Sequence, residues 1–370
     1  MRSSYKAIAT LVGTTIGAGI FGIPFVVSKI GFIPGIFYLV ILGILMLFLN
    51  LAYGEVILRT PGDHQLTGYG EIYFGKTGKI LATIALFISL YGALLAYLIK
   101  IGEFLSLIFG IQNPILFSVL FFIWAGLCIF LGLRAISVLE VIIVCFLLGL
   151  ILLISILGFD KINAFNFSGV NLAYLFLPYG VILFALTGSS IIPEMEEILR
   201  KEHKNLKKSI IIGSLIPVFV YILFATTIVG ISGSFTSDDS IAGLSLFLPE
   251  WIVFLGATLG ILSMGSSFLT LGYVLKEVWH RDFKFPKILS FVLACSPCLI
   301  LFLLGAKNFI NILGIAGAVA GGLTGILILA IFQKSKKQGE KQPIYCFNLP
   351  KILIFALLII LFLGIVSPFI

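Results

Sequence analysis

Leu11-Val-Gly-Thr-Thr-Ile-Gly-Ala-Gly-Ile-Phe-Gly-Ile-Pro24 sits inside an apolar run near the start of the chain. Four glycines and a proline are far more than a continuous helix tolerates, since each Gly costs roughly 1 kcal/mol relative to Ala. A second such stretch, Phe184-Ala-Leu-Thr-Gly-Ser-Ser-Ile-Ile-Pro-Glu194, lies in a later apolar run. Both read as helices broken partway.

The medium around these breaks follows from composition. Of 370 residues, 60% are hydrophobic and 11% charged, with a mean hydropathy of +1.20. Soluble domains carry about 25% charged residues. A spanning helix needs about 20 mostly apolar residues, because lipid offers no partner for backbone polar groups. Eleven such segments can be marked: 7–28, 34–58, 80–109, 115–133, 137–158, 172–199, 208–231, 250–278, 288–304, 309–332 and 349–367. The chain reads as an all-α polytopic membrane protein with a single transmembrane domain. The first segment is long, with no small-residue cleavage site before a soluble body, and is expected to be a retained span rather than a signal peptide.

Lys and Arg are kept on the cytoplasmic side. With the N-terminus inside, 20 of the 24 basic residues fall in inner loops, and only Lys29, Lys100, Lys161 and Lys307 face out. The chain is therefore expected in a cell (plasma or inner) membrane, N-terminus cytoplasmic and C-terminus outside. The net charge of +8 is a topology signal, and no nucleic-acid partner is expected. The inner stretch 60–79, with Tyr69, Ile72, Tyr73 and Phe74, is expected to form a short surface helix.

Span 6 comes five spans after span 1, an odd offset, so the two run in opposite directions. That is the layout of two inverted five-helix repeats, 7–158 and 172–332, each opened by a discontinuous helix, with 349–367 as an extra span. Non-helical backbone at membrane depth persists only where it lines a cavity or binds something. Half-helix N-termini offer unpaired N–H groups to an anion, and freed carbonyls at the C-terminal ends hold a cation. A zwitterionic amino acid suits both. The bland alternative is close helix packing through small residues, as in Gly13-Thr-Thr-Ile-Gly17. Gly317-Ala-Val-Ala-Gly321 in span 10 is expected to be only that. Gly17-Ala-Gly-Ile-Phe-Gly22 also fits the dinucleotide pattern G-x-G-x-x-G, but no strand precedes it.

At these residues the chain resembles the amino acid–polyamine–organocation superfamily, specifically its amino acid/auxin permease-like and aromatic amino acid permease branches. Gly13–Pro24 looks like the family's first-helix signature. Leu51-Ala-Tyr-Gly-Glu55 is similar to its Tyr-x-Glu motif, and Tyr97-Leu-Ile-Lys-Ile-Gly-Glu103 to a Gly-acidic motif. Pro193-Glu194 and the basic segment after it also fit, so the likeness runs from about Lys6 to Phe332. It implies a LeuT-type fold and secondary active amino acid transport by alternating access. By that resemblance Thr15 and the N–H groups of Ala18, Gly19 and Ile20 would meet the substrate carboxylate. Carbonyls of Phe184, Ala185 and Thr187 would meet its ammonium, with the Phe184 ring closing over it. A sodium site would use carbonyls of Gly13 and Ile16 with hydroxyls of Ser266 and Ser267. Proton-coupled relatives often place a span 5 lysine there, and span 5 here has none, its carboxylate being Glu140. No cofactor is expected beyond Na⁺ or H⁺ as coupling ion. The family's twelfth helix is missing, and oligomeric state stays open.

Ionisable residues in spans are functional candidates by default. Glu55 lies four before Arg59 and should pair with it. Lys100 and Glu103 are expected as a snorkelling pair near the outer surface. Glu194, Glu196 and Glu197 read as gating salt bridges or solvated charge at the inner end of span 6. Leu94, Tyr91 and Phe268 suggest apolar pocket walls and a neutral substrate, aromatic or branched. The spans offer no His and no clustered carboxylates, so an enzyme is not expected. An uncoupled exchanger or uniporter, and less so a channel, remain the alternatives. The pair Cys295 and Cys298 has metal spacing but no second pair, and reads as structural.

Overall fold

In the computed structural model the first span stops where its glycines demand. Helix α1 (Arg2–Thr15) gives way at Ile16, Gly17 and Ala18, and α2 (Gly19–Ile30) resumes at 57° to it. The structure describes residues 2–131 and 137–369, without the side chains of Arg2, 137–141, Ile143, Val144, Arg281, Asp282 and Phe369. The end of span 4 at 132–133 and Arg134 lie outside the described residues, as does the side chain of Glu140.

The remaining elements are helical throughout: α3 (Phe32–Arg59), α4 (Leu66–Phe109), α5 (Pro114–Phe130), α6 (Ser137–Leu157), α7 (Leu177–Leu186) and α8 (Ile192–Ile198). They continue with α9 (Leu206–Ser232), α10 (Glu250–Glu277), α11 (Lys287–Leu303), α12 (Phe309–Ile315), α13 (Gly322–Gln338) and α14 (Lys351–Val366). Span 6 comprises α7 and α8, parted by Thr187, Gly188 and a 3₁₀ turn at Ser189–Ile191. Span 10 comprises α12 and α13 joined through a π-helical segment, Ala316–Gly321. Eleven apolar spans are thus traced among the described residues.

Local chemistry sets the ends. The side chains of Asn113 and Asn308 accept from Leu116 N–H and Asn311 N–H, capping α5 and α12. Pro249, Pro286 and Pro350 precede α10, α11 and α14 in extended backbone. The short helix expected before span 3 is present from Leu66, and it turns into the span at Gly75, whose φ of 61° requires glycine.

The spans sort into two groups. α3 and α9 pack on each other and on both broken spans, while α4, α5, α10 and α11 pack among themselves. Span 10 bridges the two groups, and α14 docks on α13. Its π segment permits very close approach: a Cβ on Gly317 would lie 1.9 Å from the Gly180 carbonyl oxygen. Here the small residues serve packing, as their spacing suggests. Cys295 and Cys298 are buried, and the Cys298 thiol donates to the Cys295 carbonyl.

Glu55 is fully buried, and its carboxylate accepts from Arg59 Nε at 2.7 Å and from the Phe347 N–H. With Tyr345 donating to the Leu51 carbonyl at 2.9 Å, this ties the α13–α14 connection across the end of α3.

Candidate functional site

The four glycines of the first span divide into two kinds. A Cβ on Gly19 would fall 2.6 Å from Ala185 Cα, and one on Gly22 would fall 3.0 Å from a Val181 methyl. These two let α2 lie directly on α7. Gly13 and Gly17 have nothing within 4 Å of such a Cβ. They border open space instead of a packed neighbour. Gly188 returns the contact from the other break, where a Cβ would meet the Thr15 hydroxyl at 2.5 Å. The two breaks therefore face each other.

The break frees backbone groups of both signs. Gly17 N–H donates to Thr15 O at 3.0 Å and Ile20 N–H to Gly17 O at 3.3 Å. The N–H groups of Ala18 and Gly19 have no backbone partner among the described residues, whereas that of Ile20 is engaged. The carbonyls of Gly13 and Ile16 are likewise released. In span 6 the Phe184 carbonyl accepts from Thr187 N–H at 3.1 Å, and the Thr187 hydroxyl donates to Leu183 O at 2.8 Å. Phe184 and Thr187 are half-buried, Ser190 is exposed, and Thr15, Ala18, Gly19, Ile20 and Ala185 are buried. Open space thus reaches the α1 side of the break, and the α2 side is packed.

Ser266 and Ser267 are half-buried in α10, and the Ser266 hydroxyl donates to the Ser263 carbonyl at 3.0 Å. α1, which bears Gly13, packs mainly on α9 and α8 and also on α6, while α10 packs on α4, α5, α6 and α11. The candidate ion ligands thus stand on two different helices, α1 and α10, that both pack on α6.

The α2 side is covered by the loop between α9 and α10. Ser240 donates to the Phe21 carbonyl at 2.5 Å, and Asp239 accepts from Ile241 N–H and Ala242 N–H, both at 2.9 Å. Lys100 corrects the snorkelling expectation. Its side chain is fully buried, donates to Asp238 at 2.9 Å and to Glu103, and lies 4.9 Å from the Phe309 ring. Carboxylates delivered by the loop let the ammonium stay under protein instead of reaching solvent. On the α8 side, Asp63, His64, Tyr69, Glu194 and Glu196 line a cavity of about 120 Å³. Arg200 pairs with Asp63 at 2.7 Å and His203 with Glu196 at 2.9 Å, both at the end of span 6.

Leu94 and Phe268 are fully packed, Phe268 on Phe121 at 5.2 Å, and Tyr91 donates to the Leu293 carbonyl at 2.7 Å. Phe268 and Tyr91 thus join scaffold spans to one another.

Two features escape a reading of the sequence. Tyr221, in the middle of α9, places its hydroxyl 2.7 Å from the Thr15 carbonyl and 2.9 Å from the Ala185 carbonyl. Ser189 donates to Asn50 Oδ1 at 2.8 Å, and Asn50 Nδ2 donates to Ser214 at 3.1 Å. A buried polar residue in an apolar run was the available signal, and it names no partner.

Eleven apolar helices with the first and sixth broken and facing define a polytopic membrane protein of the LeuT-type fold. The chain belongs to the tryptophan/tyrosine permease family, whose model matches residues 1–367. It is 26% identical to the tyrosine-specific transport system 1 of Haemophilus influenzae, over 93% of this chain and 91% of that one. It is 22% identical to glutamine transporter 2 of Aliivibrio fischeri, over 90% and 89%. Among solved structures, MhsT in complex with L-phenylalanine superposes with a TM-score of 0.65 at 14% identity, covering 98% of this chain and 97% of that one. The family and these relatives are transporters and not enzymes.

Proposed function

We propose that this protein moves a neutral amino acid, aromatic by preference, across the cell membrane by alternating access in symport with Na⁺. The observation that carries the reading is the pair of facing breaks, with N–H groups at Ala18 and Gly19 that have no backbone partner among the described residues beside the carbonyl end of α7. Such ends complement a carboxylate and an ammonium respectively. Neither 7–28 nor 177–193 contains a charged residue, so the substrate side chain would meet neutral walls. The half-buried ring of Phe184 suits an aromatic side chain. The names of the relatives, tyrosine and glutamine transporters, support a neutral substrate. For the ion, the released carbonyls of Gly13 and Ile16 with the hydroxyls of Ser266 and Ser267 are hard oxygen ligands. A site drawing ligands from both α1 and α10 would couple ion binding to the movement of one helix group on the other.

The test is uptake of labelled L-tyrosine and L-glutamine into proteoliposomes at fixed pH. The reading expects tyrosine uptake to be driven by an inward Na⁺ gradient and to fall when choline replaces Na⁺. Equal uptake in the two, with stimulation by an inward H⁺ gradient, would overturn the ion assignment. Absence of uptake of either amino acid under all gradients would overturn the substrate class.

A further inference from the structure

The Tyr221 hydroxyl stands between the two broken spans, and its side chain is fully buried in α9. The carbonyls it reaches, those of Thr15 and Ala185, belong to the last turns of α1 and α7. Both are negative ends of half-helix dipoles. A phenol has a single proton. One donor therefore serves two carbonyl ends, holding them close while leaving acceptor capacity beside it. An ammonium group, with three donors and a positive charge, is the complement of that remainder.

We infer that Tyr221 is a positioning residue that sets the spacing of the two carbonyl ends and thereby selects substrates carrying a protonated α-amine. The inference rests on the amino acid site proposed above. Without the hydroxyl the two negative ends have no shared donor and relax apart, and the amine of the substrate loses its fixed partners. The spans do not come loose, because Ser214, Asn50 and Ser189 tie α9 and α3 to the second break independently.

Tyr221→Phe removes the hydroxyl and keeps the ring. The full chain in proteoliposomes is assayed for inhibition of labelled L-tyrosine uptake by unlabelled L-tyrosine and by its desamino analogue, 3-(4-hydroxyphenyl)propionate. The ratio of the two inhibition constants reports how much the amine contributes. In Tyr221→Phe that ratio is expected to fall about tenfold or more, the worth of a hydrogen bond to a charged group. A packing role would lower the maximal rate or the melting temperature and leave the ratio alone. An unchanged or increased ratio overturns the inference. Tyr221→Gln restores a donor without the ring and is the second arm, decisive by itself. Its ratio is expected to stay within about threefold of the unaltered protein, and a collapsed ratio there also overturns the inference. If the unaltered protein is inhibited by neither compound, the amino acid site itself fails, and Tyr221 is not the cause.

Discussion

Adding one methyl group at Gly19 tests the close approach of the two breaks. The new Cβ would lie 2.6 Å from Ala185 Cα and 2.7 Å from Ala185 Cβ. Carbon atoms rest at about 3.5–4.0 Å, so α2 and α7 must part by about 1 Å, and the obstruction is backbone that cannot rotate away. Overpacking of this kind costs about 1–3 kcal/mol. Applied to the arrangement in which α2 is seated on α7, that is a shift of about 5- to 150-fold in its population. Gly13→Ala is the control within the same string. It meets nothing within 4 Å, stands inside α1 and leaves every carbonyl in place, and it gains roughly 1 kcal/mol of helix preference. The assay pairs thermal melting of the purified protein with initial rates of tyrosine uptake in proteoliposomes. Gly19→Ala is expected to melt earlier and transport at least several-fold more slowly, while Gly13→Ala matches or exceeds the unaltered protein in melting. If Gly19→Ala behaves like the unaltered protein in both assays, α2 does not lie on α7 as described.

Lys100→Met leaves Glu103 and Asp238 facing each other without their cation. Because those carboxylates are 34% and 44% exposed, the loss is expected at about 1–3 kcal/mol, below that of a fully buried pair. Asp238→Asn should cost less, since Glu103 remains; chemical denaturation that ranks the two in the opposite order contradicts the pairing of Lys100 with both carboxylates. Glu55→Gln weakens the tie between the end of α3 and the α13–α14 connection. Limited proteolysis near Tyr345 is expected to quicken several-fold, and an unchanged cleavage rate contradicts it.

The breaks were legible because glycine, proline and hydroxyl residues cluster where lipid would demand continuous apolar helix. The same string hid its division of labour. Gly13, Gly17, Gly19 and Gly22 look alike in sequence, and only the packed position of α7 separates the two that seat α2 from the two that border open space. The burial of Lys100 was misread because its partner Asp238 is 138 residues away in a loop. Tyr221 was invisible for a related reason. A tyrosine in an apolar run reads as core, and its meaning comes from two carbonyls that the breaks release on other spans. Tyr91 and Phe268 carried the composition of a pocket wall, yet they face scaffold neighbours because side-chain direction depends on helix rotation that a single sequence does not fix.

The central claim is that an amino acid binds at the facing breaks, and protection of a reporter at Gly17 tests it most directly. Gly17 is half-buried beside open space, so Gly17→Cys presents a thiol there, while the buried Cys295 and Cys298 and the exposed Cys346, in the α13–α14 connection, serve as internal references. Maleimide labelling of each cysteine is followed by mass spectrometry with and without saturating L-tyrosine. The account predicts that tyrosine slows labelling at position 17 several-fold and leaves Cys346 unchanged. Equal labelling at position 17 with and without tyrosine, in protein shown to bind it, would place the substrate elsewhere and contradict the account.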